Sequence, residues 1–327
     1  MGDTFGSSTT RRDFLRASAT CGAHVALLAA ASPAHAMRLF ANRRGRVVAQ
    51  EPWGRLEEVA DGIWALISTP LQDRTTLCNG GIIRGSSGVL VVEGVATPDG
   101  AAWLAGRAHA LTGRWPDLAA ITHYHGDHTG GIGGYAREDG APTVRLTTTT
   151  RELIAGQDAR RESVPEARRR LLYAAEPIDA SSPSTIDLGG RTVRVVPREG
   201  HTRSDVTIEI DDPSVVFCGD LVWNAMFPNY VDAIPSRLGR DVRALVRDRT
   251  TAYVPGHGPM AADNDVARFI ELLDSVEIAA REAHARGDTA AEAAARYTIP
   301  PALGEWMMFS PRYPETAIGA WLRELAG

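Results

Sequence analysis

The sequence predicts a mixed α/β (α+β) fold in which helices lie against the outer faces of β-sheets. Three observations support this fold class. Short apolar strand segments come first and are followed by a strand–helix–strand pattern. A second series of strand segments follows after residue 190, and residues 262–327 have helical patterns. This succession is typical of sheets that are packed against helices around one core.

The composition indicates a globular protein rather than a nucleic-acid-binding one. The chain has 327 residues, of which 44% are hydrophobic, so a substantial core can form. Its net charge is −5, so the composition does not indicate the positively charged surface that nucleic-acid binding requires. We therefore expect a small-molecule substrate and no nucleic-acid partner. The composition predicts no particular oligomeric state.

The first 36 residues have the pattern of an export signal. Arg11 and Arg12 are followed closely by two apolar residues, a weakly apolar stretch at 21–31, and small residues up to Ala36. This pattern resembles a twin-arginine (Tat) signal, which implies export by the Tat machinery and cleavage near Ala36. The apolar stretch is too short to span about 30 Å of hydrocarbon, so we expect no membrane anchor. The expected location is periplasmic or secreted.

Residues 37–50 are polar and are predicted to be a linker before the folded domain. Cleavage would leave two cysteines, Cys78 and Cys218, both next to apolar residues. A free cysteine behaves as a small core hydrophobe, so we expect two buried thiols. A disulfide between them is the alternative in an oxidising compartment.

The elements of the first half can be assigned in order. A strand at 63–67 precedes a hairpin of strands at 81–84 and 89–92, joined by the turn Gly85-Ser86-Ser87-Gly88. A helix is predicted at 97–113 because its apolar residues share one side. A short apolar strand at 118–121 then leads into a loop rich in histidine.

The second half begins with a charged, alanine-rich segment at 147–179, predicted to be a solvated helical insertion. Its alternative role is a wall or lid over a site. Strands are predicted at 192–196, 206–210 and 215–218, and helices at 262–286, 290–297 and 314–325. The apolar residues at 306–309 are expected to cap the core.

The loop after the strand at 118–121 contains four potential metal ligands. His123 and His125 are two residues apart, so on an extended chain both side chains face the same way. Asp127 and His128 follow where Gly126 permits a tight turn. Imidazole nitrogens and carboxylate oxygens are ligands that zinc prefers. The loop therefore predicts a metal site.

Three further polar residues follow apolar runs and lie beside glycines: His201, Asp220 and His257. Such positions at the ends of strands suit residues of a functional site. Together with the loop they supply five imidazoles and two carboxylates. This set exceeds the needs of one tetrahedral ion.

The order of these motifs over roughly residues 56–260 resembles the metallo-β-lactamase fold superfamily. The resemblance implies an αββα sandwich of two mixed β-sheets with helices on both outer faces. It places the catalytic domain at 51–261 and a helical extension, packed on that domain, at 262–327. By position, the resemblance assigns His123, His125 and His201 to one metal ion and Asp127, His128 and His257 to another. Asp220 would bridge the two ions.

The implied chemistry is hydrolysis by a hydroxide that bridges two divalent ions about 3.5–4 Å apart. Zinc is the expected metal, while iron and manganese stay open because a Tat substrate can acquire its metal in the cytoplasm. Asp127 and Asp220 are the expected proton acceptors. Asp220 makes the chain similar to the glyoxalase II, lactonase and phosphodiesterase members rather than to true zinc β-lactamases. An ester, lactone, thioester or amide is therefore the expected substrate.

Polar and aromatic residues near the motifs are candidates for substrate binding. They suit a neutral or mildly polar organic molecule. The alternative is that they pack the loop after Asp220. The candidates are Tyr124, Arg203, Trp223, Asn224, Phe227 and Tyr230.

Two other functions stay open. The first is a mononuclear iron dioxygenase of the same fold, which would need only His123, His201 and Asp220. The complete second ligand set argues against it. The second is a non-catalytic periplasmic accessory protein that uses the pocket to capture a ligand.

Overall fold

The computed structural model describes residues 45–69 and 72–327. The predicted Tat-type signal at 1–36 and its cleavage near Ala36 lie outside the described residues. Two β-sheets face each other, and helices cover their outer surfaces. The predicted αββα sandwich is confirmed.

The first sheet has eight strands in sequence order, β1 to β8. They are β1 (Arg46–Glu51), β2 (Gly54–Ala60), β3 (Ile63–Ser68), β4 (Gly80–Arg84), β5 (Val89–Val92), β6 (Leu118–Ala120), β7 (Thr143–Thr147) and β8 (Glu176–Ile178). The first five strands pair antiparallel and the last four pair parallel, with β5 common to both sets. The linker prediction is wrong at its end, since residues 46–50 belong to β1, which pairs with β2.

The second sheet has five strands in the order β13-β12-β11-β10-β9. They are β9 (Ser184–Asp187), β10 (Thr192–Pro197), β11 (Val206–Ile210), β12 (Val215–Trp223) and β13 (Ala252–His257). The pair β12–β13 is parallel and the others are antiparallel. Strand β12 extends five residues beyond the predicted segment at 215–218, because it continues alongside β13 as far as Trp223.

Apolar side chains from both sheets fill the space between them. They include Ile67, Ile83 and Leu90 from the first sheet and Val195, Ile208 and Phe217 from the second, all at most 1% exposed. Gly81 permits close contact of the sheets, because a Cβ atom there would lie 2.3 Å from the ring of Phe217. This core fixes the positions of the loops at the edges of both sheets.

Eight α-helices lie within the described residues. They are α1 (Pro98–Thr112), α2 (Gly126–Thr129), α3 (Thr148–Asp158), α4 (Glu166–Tyr173), α5 (Pro235–Arg243), α6 (Asp263–Arg286), α7 (Ala290–Arg296) and α8 (Tyr313–Leu325). Helix α1 agrees with the predicted segment 97–113: the Thr97 side chain caps its first turn, and Gly113 ends it with φ +73°.

The predicted insertion at 147–179 contains α3 and α4, but both of its ends belong to the first sheet through β7 and β8. The buried guanidinium of Arg168 on α4 donates to the carbonyl oxygen of Thr129 and pairs with Asp158. Helix α4 therefore packs against the C-terminal end of α2, which is part of the histidine loop.

The C-terminal helices α6 and α8 pack together, and α6 also contacts β12. The preceding segment 306–309 runs beside the end of β12: the N–H of Phe227 donates to the carbonyl of Met307 at 2.8 Å, and the N–H of Met307 donates to that of Ala225 at 3.0 Å. Met307 and Phe309 are buried in this core, as predicted. No helix among the described residues is long and apolar enough to cross a bilayer. Cys78 and Cys218 are buried free thiols, as predicted.

Candidate metal centre

The histidine loop leaves the first sheet at the end of β6. His123 and His125 lie on an extended stretch, with ring centroids 4.8 Å apart, as the alternation of side chains predicted. His125 is the residue before α2, whose single turn carries Asp127 and His128. The change from extended chain to helix still brings His128 to the same place, with its ring centroid 4.2 Å from that of His123.

The three distant residues come from the second sheet. His201 follows β10, Asp220 lies within β12, and His257 ends β13. Two glycines make this proximity possible. A Cβ atom at Gly256 would lie 1.9 Å from Oδ1 of Asp220, and one at Gly219 would lie 2.7 Å from Oγ1 of Thr122. Gly219 and Gly256 therefore have to be glycine for steric reasons, whereas a Cβ atom at Gly126 would meet nothing within 4 Å.

The seven predicted ligands form two adjacent groups. His123, His125, His201 and Asp220 make one group, and Asp127, His128 and His257 make the other, with potential ligand atoms of each group within 4.8 Å of one another. The Asp220 carboxylate touches both groups: Oδ2 lies 3.2 Å from Nε2 of His201, and Oδ1 lies 3.0 Å from Nε2 of His128. Across the second group, Oδ2 of Asp127 lies 3.2 Å from Nε2 of His257.

Unsatisfied polar atoms show that these residues fit a metal. The Nε2 atoms of His123, His128 and His257 and Oδ1 of Asp220 are buried and make no hydrogen bond among the described residues. Buried polar atoms normally have partners, so a cluster of such atoms facing one another requires a further explanation. Nitrogen and carboxylate donors at this spacing match the ligand chemistry of divalent transition ions.

The pKa values of two histidines favour the neutral form that binds metal. Burial lowers the pKa of His123 well below its usual value, and the neighbouring His128 lowers it further. Burial also lowers the pKa of His201 to about 3, with His125 adding to the effect. Both imidazoles are therefore neutral at physiological pH.

For His257 and Asp220, nearby opposite charges outweigh the effect of burial on the pKa. Burial lowers the pKa of His257, but the charges of Asp220 and Asp127 outweigh it and raise the pKa to about 9. Burial raises the pKa of Asp220, yet His257, His128 and His201 together hold it well below its usual value. Burial also raises the pKa of Asp127, but His128 and His257 hold it below its usual value. Both carboxylates thus carry negative charge, which bound cations would balance.

Sequence reasoning missed Glu93, which follows β5 and is buried with φ +77°. Its Oε1 accepts a hydrogen bond from Oγ1 of Thr122 at 2.6 Å, and that hydroxyl lies 3.0 Å from Nδ1 of His123. The same Oε1 lies 3.1 Å from Nδ1 of His128. A single acidic residue between an apolar strand and Gly94 was the available signal.

Asp232 was also missed. It lies between β12 and α5, and its Oδ2 is 2.9 Å from Nε2 of His125 and accepts a hydrogen bond from the hydroxyl of Tyr124. The hydrogen bond from His125 lowers the pKa of Asp232 to about 2. No sequence pattern pointed to this residue, because its loop carries no motif.

The six candidates for substrate binding separate into two sets. Tyr124 is half-buried, Arg203 is exposed, and the buried ring of Trp223 packs on His257 with centroids 4.2 Å apart. Asn224, Phe227 and Tyr230 are at most 4% exposed and belong to the core. The amide of Asn224 donates to the carbonyls of Pro259 and Met260, and both aromatic rings pack in the C-terminal core cluster. We therefore correct the prediction for these three residues.

Among the described residues, two of the seven proposed ligands reach solvent. The side chains of His125 and Asp127 are 15% and 21% exposed, whereas those of the other five ligands are at most 3% exposed. Beside His257, the rings of Trp223 and Phe309 form an apolar wall, with centroids 5.8 Å apart. His125 and Asp127 therefore mark the side of the cluster that is accessible to solvent.

Residues 74–257 match the family described as the metallo-beta-lactamase superfamily. The chain belongs to this superfamily. The match ends at His257, so it contains all seven clustered residues and excludes the C-terminal helices. It confirms the resemblance predicted from the motifs.

Metallo-β-lactamase superfamily enzymes with curated names are similar to this chain. A hydroxyacylglutathione hydrolase of Acidiphilium cryptum is 30% identical over 196 residues, which cover 60% of this chain and 70% of that protein. The acyl-coenzyme A thioesterase MBLAC2 of Homo sapiens is 26% identical over 44% of this chain and 57% of that protein. One relative is named as a hydrolase and the other as a thioesterase, which supports the metallohydrolase class.

Solved structures of the superfamily share the fold. The metallo-β-lactamase from Pontibacter korlensis has a TM-score of 0.55 and 18% identity over 68% of this chain and 99% of that one. FIM-1 from Pseudomonas aeruginosa in its mono-zinc form has a TM-score of 0.55 and 18% identity, covering 69% of this chain and 98% of that one. At this identity the likeness shows the fold alone.

Proposed function

We propose that the protein is a dinuclear metallohydrolase that cleaves an acyl thioester or a related ester. The observation that carries this proposal is the position of Asp220, whose two oxygens contact histidines of both ligand groups. A carboxylate between two ligand sets is the arrangement expected for a residue shared by two ions. A single ion would leave one set of buried polar atoms without partners.

In this proposal His123, His125 and His201 hold one ion, Asp127, His128 and His257 hold the other, and Asp220 belongs to both. Zinc is the proposed metal because the donors are imidazoles and carboxylates. Bound divalent ions supply Lewis acidity, which brings the pKa of water toward about 7 and stabilises developing negative charge on oxygen. The protein supplies the orientation of the donors and the exclusion of bulk water.

Asp127 and Asp220 are the proposed proton acceptors. Asp127 is the more exposed, at 21%, and lies on the open side where water and substrate enter. Asp220 is 3% exposed and lies at the centre of the cluster. A carboxylate at each position can hold the proton released by the attacking water and return it to the leaving group.

The thioester preference comes from the relatives. Hydroxyacylglutathione hydrolase and acyl-coenzyme A thioesterase are names of enzymes that cleave acyl thioesters. In this chain the apolar wall of Trp223 and Phe309 would pack against the acyl part. Arg203, an exposed cation whose charge acts on Tyr124, would favour an acidic carrier group.

A hydrolysis panel tests the proposal. Zinc-loaded protein is incubated with small thioesters, esters, lactones and amides, beside Asp220→Asn and the surface control Asp61→Asn. Thioester turnover that falls at least 100-fold in Asp220→Asn and is retained in Asp61→Asn supports the proposal. An intact zinc-loaded chain that hydrolyses none of these compounds refutes it.

We also propose that the Tat machinery exports the protein to the periplasm or beyond. The paired Arg11 and Arg12 motivate this proposal. Cell fractionation should find the protein outside the cytoplasm, in a form shortened near Ala36. Replacement of both arginines by lysine should retain it inside, whereas export unchanged by that replacement would exclude the Tat route.

A further inference from the structure

We propose that Asp232 is a positioning residue that holds the His125 imidazole so that its Nδ1 atom faces the metal centre. The inference rests on the proposed metal centre, but not on the identity of the substrate. It adds a residue to the machinery beyond the seven ligands and Glu93, from a loop that carries no recognisable motif. It also gives Tyr124 a role different from the predicted one in substrate binding.

The two nitrogens of His125 face different partners. Nδ1 lies 2.9 Å from Nε2 of His201, inside the cluster, and Nε2 lies 2.9 Å from Oδ2 of Asp232, outside it. A carboxylate accepts a hydrogen bond only from a protonated nitrogen, so Asp232 places the proton on Nε2. The lone pair is then left on Nδ1, which is the nitrogen directed at the cluster.

The other two histidines of the loop have the opposite arrangement. The Nδ1 atoms of His123 and His128 face Thr122 and Glu93, and their Nε2 atoms face the cluster. His125 therefore cannot share the buried acceptor that serves its neighbours. It requires an acceptor on its own outer side, and Asp232 occupies that position.

Two contacts hold Asp232 and the loop that carries it. The hydroxyl of Tyr124 donates to the same oxygen that faces His125. The backbone two residues after Asp232 is hydrogen-bonded to the loop that carries His201: the N–H of Ile234 donates to the carbonyl of Gly200 at 2.8 Å. Because Gly200 precedes His201, one loop positions both the acceptor of His125 and the backbone next to His201.

The contact between His125 and Asp232 is important because solvent reaches both side chains. The side chains of His125 and Asp232 are 15% and 43% exposed, so water competes for Nε2. A neutral imidazole without a fixed acceptor can exchange tautomers and present a protonated Nδ1 to the ion. Partners of this kind typically change metal affinity by about 10–100-fold when they are removed.

The test measures zinc affinity by competition with a chromogenic chelator, without any substrate. The variants are Asp232→Asn, Asp232→Ala, Asp232→Glu and Tyr124→Phe, with the exposed Asp61→Asn as control. We expect Asp232→Ala to weaken one of two zinc-binding steps by about 10–100-fold and to leave the other unchanged. Asp232→Glu should restore part of the loss, and Tyr124→Phe should weaken the same step by a smaller factor.

Two outcomes would overturn the inference. Zinc affinities unchanged in Asp232→Ala would mean that the contact is incidental. Equal weakening of both steps, together with a lower melting temperature of the metal-free protein, would mean that Asp232 only maintains the loop. Failure of the proposed function is a separate result: a chain that binds two zinc ions but hydrolyses no thioester contradicts that function and leaves the affinity test valid.

Discussion

Oε1 of Glu93 lies 3.1 Å from Nδ1 of His128 and also accepts the hydroxyl hydrogen of Thr122, which in turn contacts His123. One buried carboxylate thus fixes two histidines, one from each ligand group. In both imidazoles Nδ1 faces these oxygens, and Nε2 faces the cluster. Glu93 therefore links the proposed sites of both ions.

The first prediction concerns Glu93. Glu93→Gln replaces a charged acceptor with a neutral amide and should weaken both zinc-binding steps by about 10–100-fold, because both His123 and His128 depend on it. Chelator competition measures the two steps. Glu277→Gln, which loses only an exposed pair with Arg281, is the matched control. An effect confined to one step would contradict the shared role.

Metal removal should destabilise the protein. The cluster brings Asp127, Asp220 and Glu93 close together, and cations would offset their mutual repulsion. A ligand at 100 times its Kd stabilises a protein by about 2.7 kcal/mol, so saturating zinc should raise the melting temperature of chelator-treated protein by several degrees. Calorimetry with and without zinc measures this shift. An equal shift in Asp220→Asn would place the stabilising zinc elsewhere.

The aromatic wall provides a prediction about specificity. Phe309 lies 5.7 Å from the His257 ring, whereas Phe269 belongs to the same core cluster but packs on Trp306. Phe309→Leu should lower kcat/KM for thioesters with long apolar acyl groups about tenfold and change it little for acetyl thioesters. Phe269→Leu removes the same atoms and should leave this selectivity unchanged. Equal effects of both substitutions on this selectivity would mean that Trp223 and Phe309 only pack the core and do not contact the acyl group.

The two cysteines should be inert in the folded protein. Burial raises the pKa of Cys78 to about 12 and that of Cys218 higher still, so the reactive thiolates are absent at neutral pH. A thiol reagent at pH 7.5 should therefore label neither residue until denaturant is added, and both should then react without a reductant. Labelling that requires a reductant would indicate the disulfide instead.

The ligands could be predicted from the sequence because each is a chemically distinctive residue placed after an apolar strand. The alternation of side chains placed His123 with His125, and the glycines beside Asp220 and His257 marked tight approaches that the structure contains. Asn224 and Tyr230 were wrong as substrate residues because proximity in sequence does not give the direction of a side chain. Strand β1 was missed because its residues pair with β2 without a strong apolar alternation.

Asp232 could not be predicted, since its contact with His125 spans 107 residues and depends on the path of a loop. The same holds for Arg168, which binds the carbonyl of Thr129 from the predicted insertion. Such contacts form only after folding of the core has brought the two distant segments of the chain together. The sequence therefore predicts the donors of the site better than the residues that orient them.

The zinc and iron content of the purified chain, measured together with oxygen consumption, tests the central claim most directly. The account predicts about two zinc ions per chain, fewer in Asp220→Asn, and no oxygen consumption with thiol or persulfide compounds. One iron ion per chain, with oxygen consumption that depends on His123, His201 and Asp220, would contradict it.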